Sequence, residues 1–252
     1  MLTAIVREVS PRLSECLVSF QERAPIDVEL AGRQHAEYCS VLAELGAKVV
    51  TLPALDDQPD CVFVEDPIVV LDEVAIVTRM GAETRRGESA SLAAAVGRYR
   101  ELLEIGAPGQ LEGGDVMRIG KTLYVGISGR TNIAGLQQLA QLTAPFGYWV
   151  VPVEVRGCLH LKSACCYLGH DTVLANREWL DMDAFCGVKF LDAPEAGGAN
   201  ALRVGDGVVM GAEYPETARV VEARGFTVRT VGISELVKAD AGVTCMSVVF
   251  EG

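Results

Sequence analysis

Residues 111–126 read LEGGDVMRIGKTLYVG. Val116 to Ile119 and Thr122 to Val125 are two short β-prone runs, and Gly120-Lys121 between them is the chemistry of a tight hairpin turn. Working outward, the same pattern of two short strands about a polar or glycine turn recurs at 63–79 (FVEDPIVVLDEVAIVTR), 159–175 (LHLKSACCYLGHDTVLA) and 198–211 (GANALRVGDGVVMG). A fifth run, 243–250 (VTCMSVVF), has no strand after it, and 2–7 (LTAIVR) supplies one and closes the set. Between these hairpins, apolar residues at helical spacing cover 32–45, 88–103, 132–143 and 215–223. Further strand-like runs follow at 48–52, 148–153 and 227–231. The unit is strand, strand, helix, strand. Such a unit buries its apolar faces only against its neighbours, so five of them predict a closed α/β ring over residues 1–252 as one domain.

A polar residue stands at the start of each hairpin: Asp66, Glu112, His160, Asn200 and Cys245. Their separations are 46, 48, 40 and 45 residues. If the units share one fold about one axis, these positions converge at its centre.

The charge balance constrains what that centre binds. With 22 Lys+Arg against 34 Asp+Glu in 252 residues the net charge is −12, which repels phosphate backbones and anionic membranes and favours a small cation. Half the residues are apolar, so a large core is expected. Arg7 and Glu8 interrupt the first apolar stretch, and nothing approaches the ~18 apolar residues of a membrane span, so a soluble cytoplasmic protein is expected. The eight cysteines are expected to be reduced, and none has zinc-site spacing, so no metal is expected. A P-loop and a GxSxG nucleophile elbow are both missing, and 205–211 has GxGxxxG spacing that fits a hairpin turn.

Three histidines are candidates for acid/base work. His35 is expected on a surface near a helix start and His170 in a hairpin turn, whereas His160 lies in an apolar strand-like run. Cys245 occupies the equivalent place in its own unit, and a thiol needs a base or a lowered pKa to act as a nucleophile. Glu65, Asp66 and Glu112 would raise the pKa of such a thiol unless a cation lay between them. Carboxylates hold a guanidinium through paired charge-assisted hydrogen bonds, so a guanidinium carbon is the expected target. Arg85 and Arg130, at similar distances past two hairpins, could clamp a carboxylate; an arginine derivative has both ends. Arg86, Asp72 and Asp115 are read as solvated or turn residues, and Asn200 receives no catalytic role.

At these residues the sequence resembles the guanidino-modifying, or pentein, superfamily, and within it the dimethylarginine dimethylaminohydrolases. The matching segments are 59–67 (PDCVFVEDP), 78–88 (TRMGAETRRGE), 111–115 (LEGGD), 128–132 (SGRTN), 159–162 (LHLK) and 242–247 (GVTCMS). The resemblance implies a five-bladed pseudo-symmetric α/β propeller of ββαβ modules, hydrolysis of N-omega-methylated arginine to citrulline and a methylamine, and no cofactor or metal. It implies Cys245 as nucleophile, His160 as acid/base, Glu112 and Asp66 on the guanidinium with Glu65 in support, and Phe63 lining the pocket. The α-amine would go to Asp60 with backbone carbonyls near Leu17 and Ala239, the carboxylate to Arg85 and Arg130. Residues 14–25 are expected to form a mobile cover. Lys162 stands where the superfamily's arginine deiminases carry Asp, and 252 residues leave no room for their helical insert. An arginine deiminase, an amidinotransferase and a non-catalytic binding propeller stay open as alternatives. The expected partner is a small arginine derivative, with a homodimer left open.

Overall fold

The computed structural model describes residues Met1–Gly252. The run 2–7 forms β1 (Leu2–Arg7), which is followed by helix α1 (Val28–Glu44) and β2 (Lys48–Leu52). The next module has β3 (Ile68–Val70), β4 (Val74–Val77), α2 (Ser89–Val96) and β5 (Glu101–Glu104). The hairpin of residues 116–127 is β6 (Val116–Ile119) and β7 (Thr122–Ile127), continued by α3 (Ile133–Thr143) and β8 (Trp149–Glu154). A one-turn helix α4 (Leu161–Ala164) introduces β9 (Cys165–Gly169), β10 (Thr172–Ala175) and β11 (Lys189–Asp192). The chain ends with β12 (Ala201–Val204), β13 (Gly207–Gly211), α5 (Pro215–Ala223), β14 (Thr227–Val231), the short α6 (Ser234–Val237) and β15 (Ser247–Glu251).

These strands form five sheets of three. In each, the middle strand pairs antiparallel with the hairpin partner before it and parallel with the strand that follows the crossover. The fifth sheet is built from both ends of the chain: β1 is its middle strand, antiparallel to β15 with Leu2 opposite Glu251 and parallel to β2.

Side chains alternate across a strand, so a middle strand buried on both faces feeds two cores. Leu123 and Val125 of β7 pack with β4 residues Val74 and Ile76, while Tyr124 between them packs with Leu161 and Val173 of the next module. The same division holds for β13, where Val208 and Met210 face one junction and Val209 the other. Five apolar clusters result, one at each junction between modules. The first strands of all modules line an axial cavity of about 490 Å³. No helix is long and apolar enough to cross a membrane.

Two expectations need correction. The helical stretch 88–103 stops at Val96, and Glu101–Glu104 is instead the strand β5, because the parallel ladder with β4 outweighs the local periodicity. The polar residues expected at the starts of first strands lie instead in the short turns that lead into them.

Candidate active site

Those turns position the site. Asp66 lies two residues before β3, Glu112 precedes a 3₁₀ turn at Gly113–Asp115, His160 caps α4, Asn200 follows a 3₁₀ turn, and Cys245 sits within the one at Val243–Met246. His160 is therefore at a helix start, where its backbone is extended, and outside the strand assigned to it. Each turn is tied to the next around the axis. Glu65 N–H donates to Cys245 O at 3.2 Å, and Gly113 N–H to Asp66 O at 2.9 Å. Leu161 N–H donates to Asp115 Oδ1 at 2.9 Å, Asn200 Nδ2 to Lys162 O at 2.9 Å, and Thr244 N–H to Asn200 Oδ1 at 3.1 Å. All five junctions are bridged. Close approach here requires glycine: a Cβ on Gly242 would stand 2.3 Å from Asn200 Cγ.

Cys245, His160 and Asp66 border one small cavity with Asp60, Phe63, Arg85, Arg130, Leu17 and Ala239. Its free space is about 20 Å³, room for about one water. His160 Nε2 is 2.8 Å from Glu112 Oε2, and its Nδ1 is 3.8 Å from Asp66 Oδ1. Burial opposes the imidazolium, but Asp66, the hydrogen bond to Glu112 and then Asp115 outweigh it and raise the His160 pKa to about 9. Burial likewise works to raise Asp66 and Glu112, yet His160 and Arg85 hold both below the usual carboxylate range. The Cys245 thiol is pushed up by burial and then by Glu65 and Asp66, so it stays protonated; its Sγ accepts from Gly242 N–H at 3.4 Å.

Glu112 is fully buried behind His160 and Arg130, with Oε1 taking Ala82 N–H at 3.2 Å and Arg130 Nη1 at 3.5 Å. Glu65 faces the axial cavity, where Lys162 Nζ meets Oε1 at 2.6 Å and Thr244 Oγ1 donates to Oε2 at 2.8 Å. Arg85 is buried and commits four of its five N–H groups, two to Glu88, one to Asp66 Oδ2 at 2.8 Å and one to Phe63 O. It has one hydrogen left for a carboxylate, whereas Arg130 also reaches outward to Ser19 Oγ at 3.1 Å. Asp60 accepts Leu17 N–H at 3.1 Å, and Asp240 accepts the N–H groups of Ser19, Phe20 and Gln21 at 2.5, 3.0 and 3.1 Å. The stretch expected as a cover thus lies closed over the site.

Two readings change. Asp115, read as a turn or solvated residue, is fully buried, takes Ser128 Oγ at 2.6 Å and anchors the backbone after His160. His35, expected on the surface, is buried in α1 and its pKa falls to about 4 through burial. Asn200, given no catalytic role, links three modules beside the Cys245 turn through Lys162 O and Thr244. The Glu-Gly-Gly-Asp run was the available signal for Asp115, since a 3₁₀ turn carries both its carboxylates to the axis. Ligand atoms of Asp66, Glu112 and His160 lie within 4.8 Å of one another, a group that could hold a cation.

The family model for N,N dimethylarginine dimethylhydrolase, eukaryotic, matches residues 15–184. The N(G),N(G)-dimethylarginine dimethylaminohydrolase of Streptomyces coelicolor is 42% identical over 247 residues, covering 97% of this chain and 95% of that protein. The enzyme of the same name from Pseudomonas aeruginosa is 36% identical over 89% of this chain and 90% of its own. A crystallised Cys-to-Ser mutant of the Pseudomonas protein complexed with citrulline superposes with a TM-score of 0.92 at 34% identity, over 99% of this chain and 100% of that one. The N-terminal domain of ArgZ, at 20% identity and a TM-score of 0.89 over 99% of this chain and 97% of that one, shares the fold. With the five-module ring, the Cys245, His160 and carboxylate cluster at its axis and these likenesses over nearly the whole length, the chain belongs to the dimethylarginine dimethylaminohydrolase family.

Proposed function

We propose that residues 1–252 act as one catalytic unit that hydrolyses N-omega-methylated arginine to citrulline and methylamine or dimethylamine. The observation that carries this reading is the meeting of Cys245, His160 and Asp66 on one buried cavity whose other walls include Asp60 and Arg130. A carboxylate and a guanidinium at those walls complement an α-amine and an α-carboxylate. The names of the Streptomyces and Pseudomonas relatives support the same chemistry.

Asp66 holds the substrate guanidinium, while Glu112, which lies behind the imidazole and off the cavity wall, holds His160 in place, and Glu65 supports the cluster from the axial side. The bound cation offsets the negative charges that hold the thiol neutral, so Cys245 releases its proton to solvent when the substrate is in place. The thiolate attacks the guanidinium carbon and forms a C–S bond. The C–N bond to the methylated nitrogen breaks as His160, charged at neutral pH, gives that nitrogen its proton. The remaining thiouronium is attacked by water, whose proton the now neutral His160 takes. The C–S bond breaks, citrulline forms and the thiolate is regenerated. Arg130, with the single free hydrogen of Arg85, takes the carboxylate, and Asp60 with the Leu17 and Ala239 carbonyls takes the amine.

Incubation with arginine, monomethylarginine and dimethylarginine, scoring citrulline and released amine, tests the reading. Equimolar citrulline and alkylamine from the methylated substrates is expected, and no turnover by Cys245→Ser. Citrulline at near wild-type rate from that variant overturns the nucleophile, and products appearing only when an amine acceptor is added mark an amidinotransferase.

A further inference from the structure

Leu159, Asp240 and Ala241 border the catalytic cavity on one side and a second cavity, of about 360 Å³, on the other. Three aromatic side chains from separate parts of the chain line this second space: Phe20 of the covering stretch, Trp179 in the turn after β10, and Tyr214 ahead of α5. Trp179 lies against Gly157 and Tyr214 against Gly197, where a Cβ would come within 2.9 and 2.4 Å of the ring or its hydroxyl, so bare backbone seats both side chains. The only charged side chain in the wall is Asp240. Phe20, 53% exposed, marks the side toward solvent.

We propose that this cavity is the exit site for the alkylamine, binding methylated ammonium ions. The inference rests on the hydrolysis proposed above. In that reaction the amine must leave, and a water must replace it, while the other half of the substrate is still bonded to Cys245. The covering stretch is meanwhile held by the Asp240 carboxylate through three N–H groups. An outlet behind Leu159 lets the exchange occur without lifting that cover. The released amine is a strong base and takes a proton from solvent, and aromatic faces with one carboxylate are the surroundings that attract a methylated ammonium. Phe20 belongs to the covering stretch, so the cavity is complete only when the cover is down, the state in which the amine is produced.

Saturation-transfer NMR on the methyl protons of dimethylammonium chloride at ~50 mM, the range for a cation–π contact aided by one carboxylate, tests this with the Cys245→Ser protein. Saturable transfer is expected, falling at least ~5-fold in Trp179→Leu and in Tyr214→Leu. Trp149→Leu, which removes an exposed ring on β8, should leave it unchanged, and acetone, uncharged and of similar size, should give little. Trp179→Phe keeps an aromatic face and should retain transfer, which covers the case of a Leu variant that does not fold. Absence of transfer in the Cys245→Ser protein, or equal transfer with Trp179→Leu in a folded protein, overturns the assignment. The readout needs no turnover, so an active enzyme that fails to bind the ion sinks this inference alone, whereas an inactive one that binds it sinks the hydrolysis and with it the role of exit, leaving an ammonium site.

Discussion

A Cβ on Gly114 would stand 2.6 Å from His160 Nδ1 and 2.8 Å from Asp66 Oδ1. Backbone without a side chain is what lets the imidazole and the carboxylate approach each other. Gly114→Ala should therefore lower kcat at least ~10-fold while costing only about 1–3 kcal/mol of stability, measured by steady-state kinetics beside urea unfolding. Unchanged turnover would show that the ring has another place to go. His160 carries the pH dependence. Its pKa rises in the folded protein to about 9, so the stabilisation from the charged ring is complete below about 6.5 and is lost as pH rises through about 9. The rate should fall over the same upper limb, because the neutral ring has no proton for the departing amine. Glu112→Gln removes one of the groups that raise that pKa, and the limb should move toward neutrality; a profile that stays in place would detach His160 from the acid role. His160, Cys245 and Asp66 were legible because a polar residue recurs at one point of an apolar repeat. Asp115 and Glu88 were not, since their worth depends on which turn or arginine they meet, and that is settled only by the closed ring.

At the scale of elements, the covering stretch was readable as a segment over the site, but its fastening was not. Asp240, which holds it, is 221 residues from Ser19 in sequence. Asp240 also has a left-handed backbone, φ 57°, which directs the chain between α6 and the Cys245 turn. Asp240→Ala removes the acceptor for three N–H groups, so the amides of Ser19, Phe20 and Gln21 should exchange with deuterium roughly 10-fold faster, followed by mass spectrometry. Protection equal to the unsubstituted protein would mean that Asp60 and Arg130 hold the stretch by themselves. The hairpins were the most legible elements, because two-residue alternation and a glycine turn leave little choice. The misread end of α2 was the least legible. Leu102 and Leu103 continue a helical spacing, and only the presence of β4 alongside makes them a strand.

At the scale of the molecule, the count of five units and their closure followed from a pattern repeated along the chain. The shared cores did not, because each cluster draws on two modules and belongs to neither. Successive side chains of a middle strand are buried against different neighbours, as Leu123 and Tyr124 of β7 are. The pairing of β1 with β15 extends this to the ends of the chain, where Gly252 N–H donates to Met1 O at 2.8 Å. Covalent order is then only one of several ways to thread the same ring. A circular permutant that links residue 252 to residue 1 and opens the exposed β12–β13 turn between Gly205 and Asp206 should fold with all five junctions intact and retain turnover, checked by circular dichroism and citrulline release. Deleting residues 1–7 instead takes out a middle strand, and that protein should lose its cooperative transition. A permutant that fails to fold, with the linker long enough to span the join, would show that assembly needs a particular module to start it. Otherwise the ring has no first blade, and the place where the polypeptide is cut is a matter of genetic history and not of architecture.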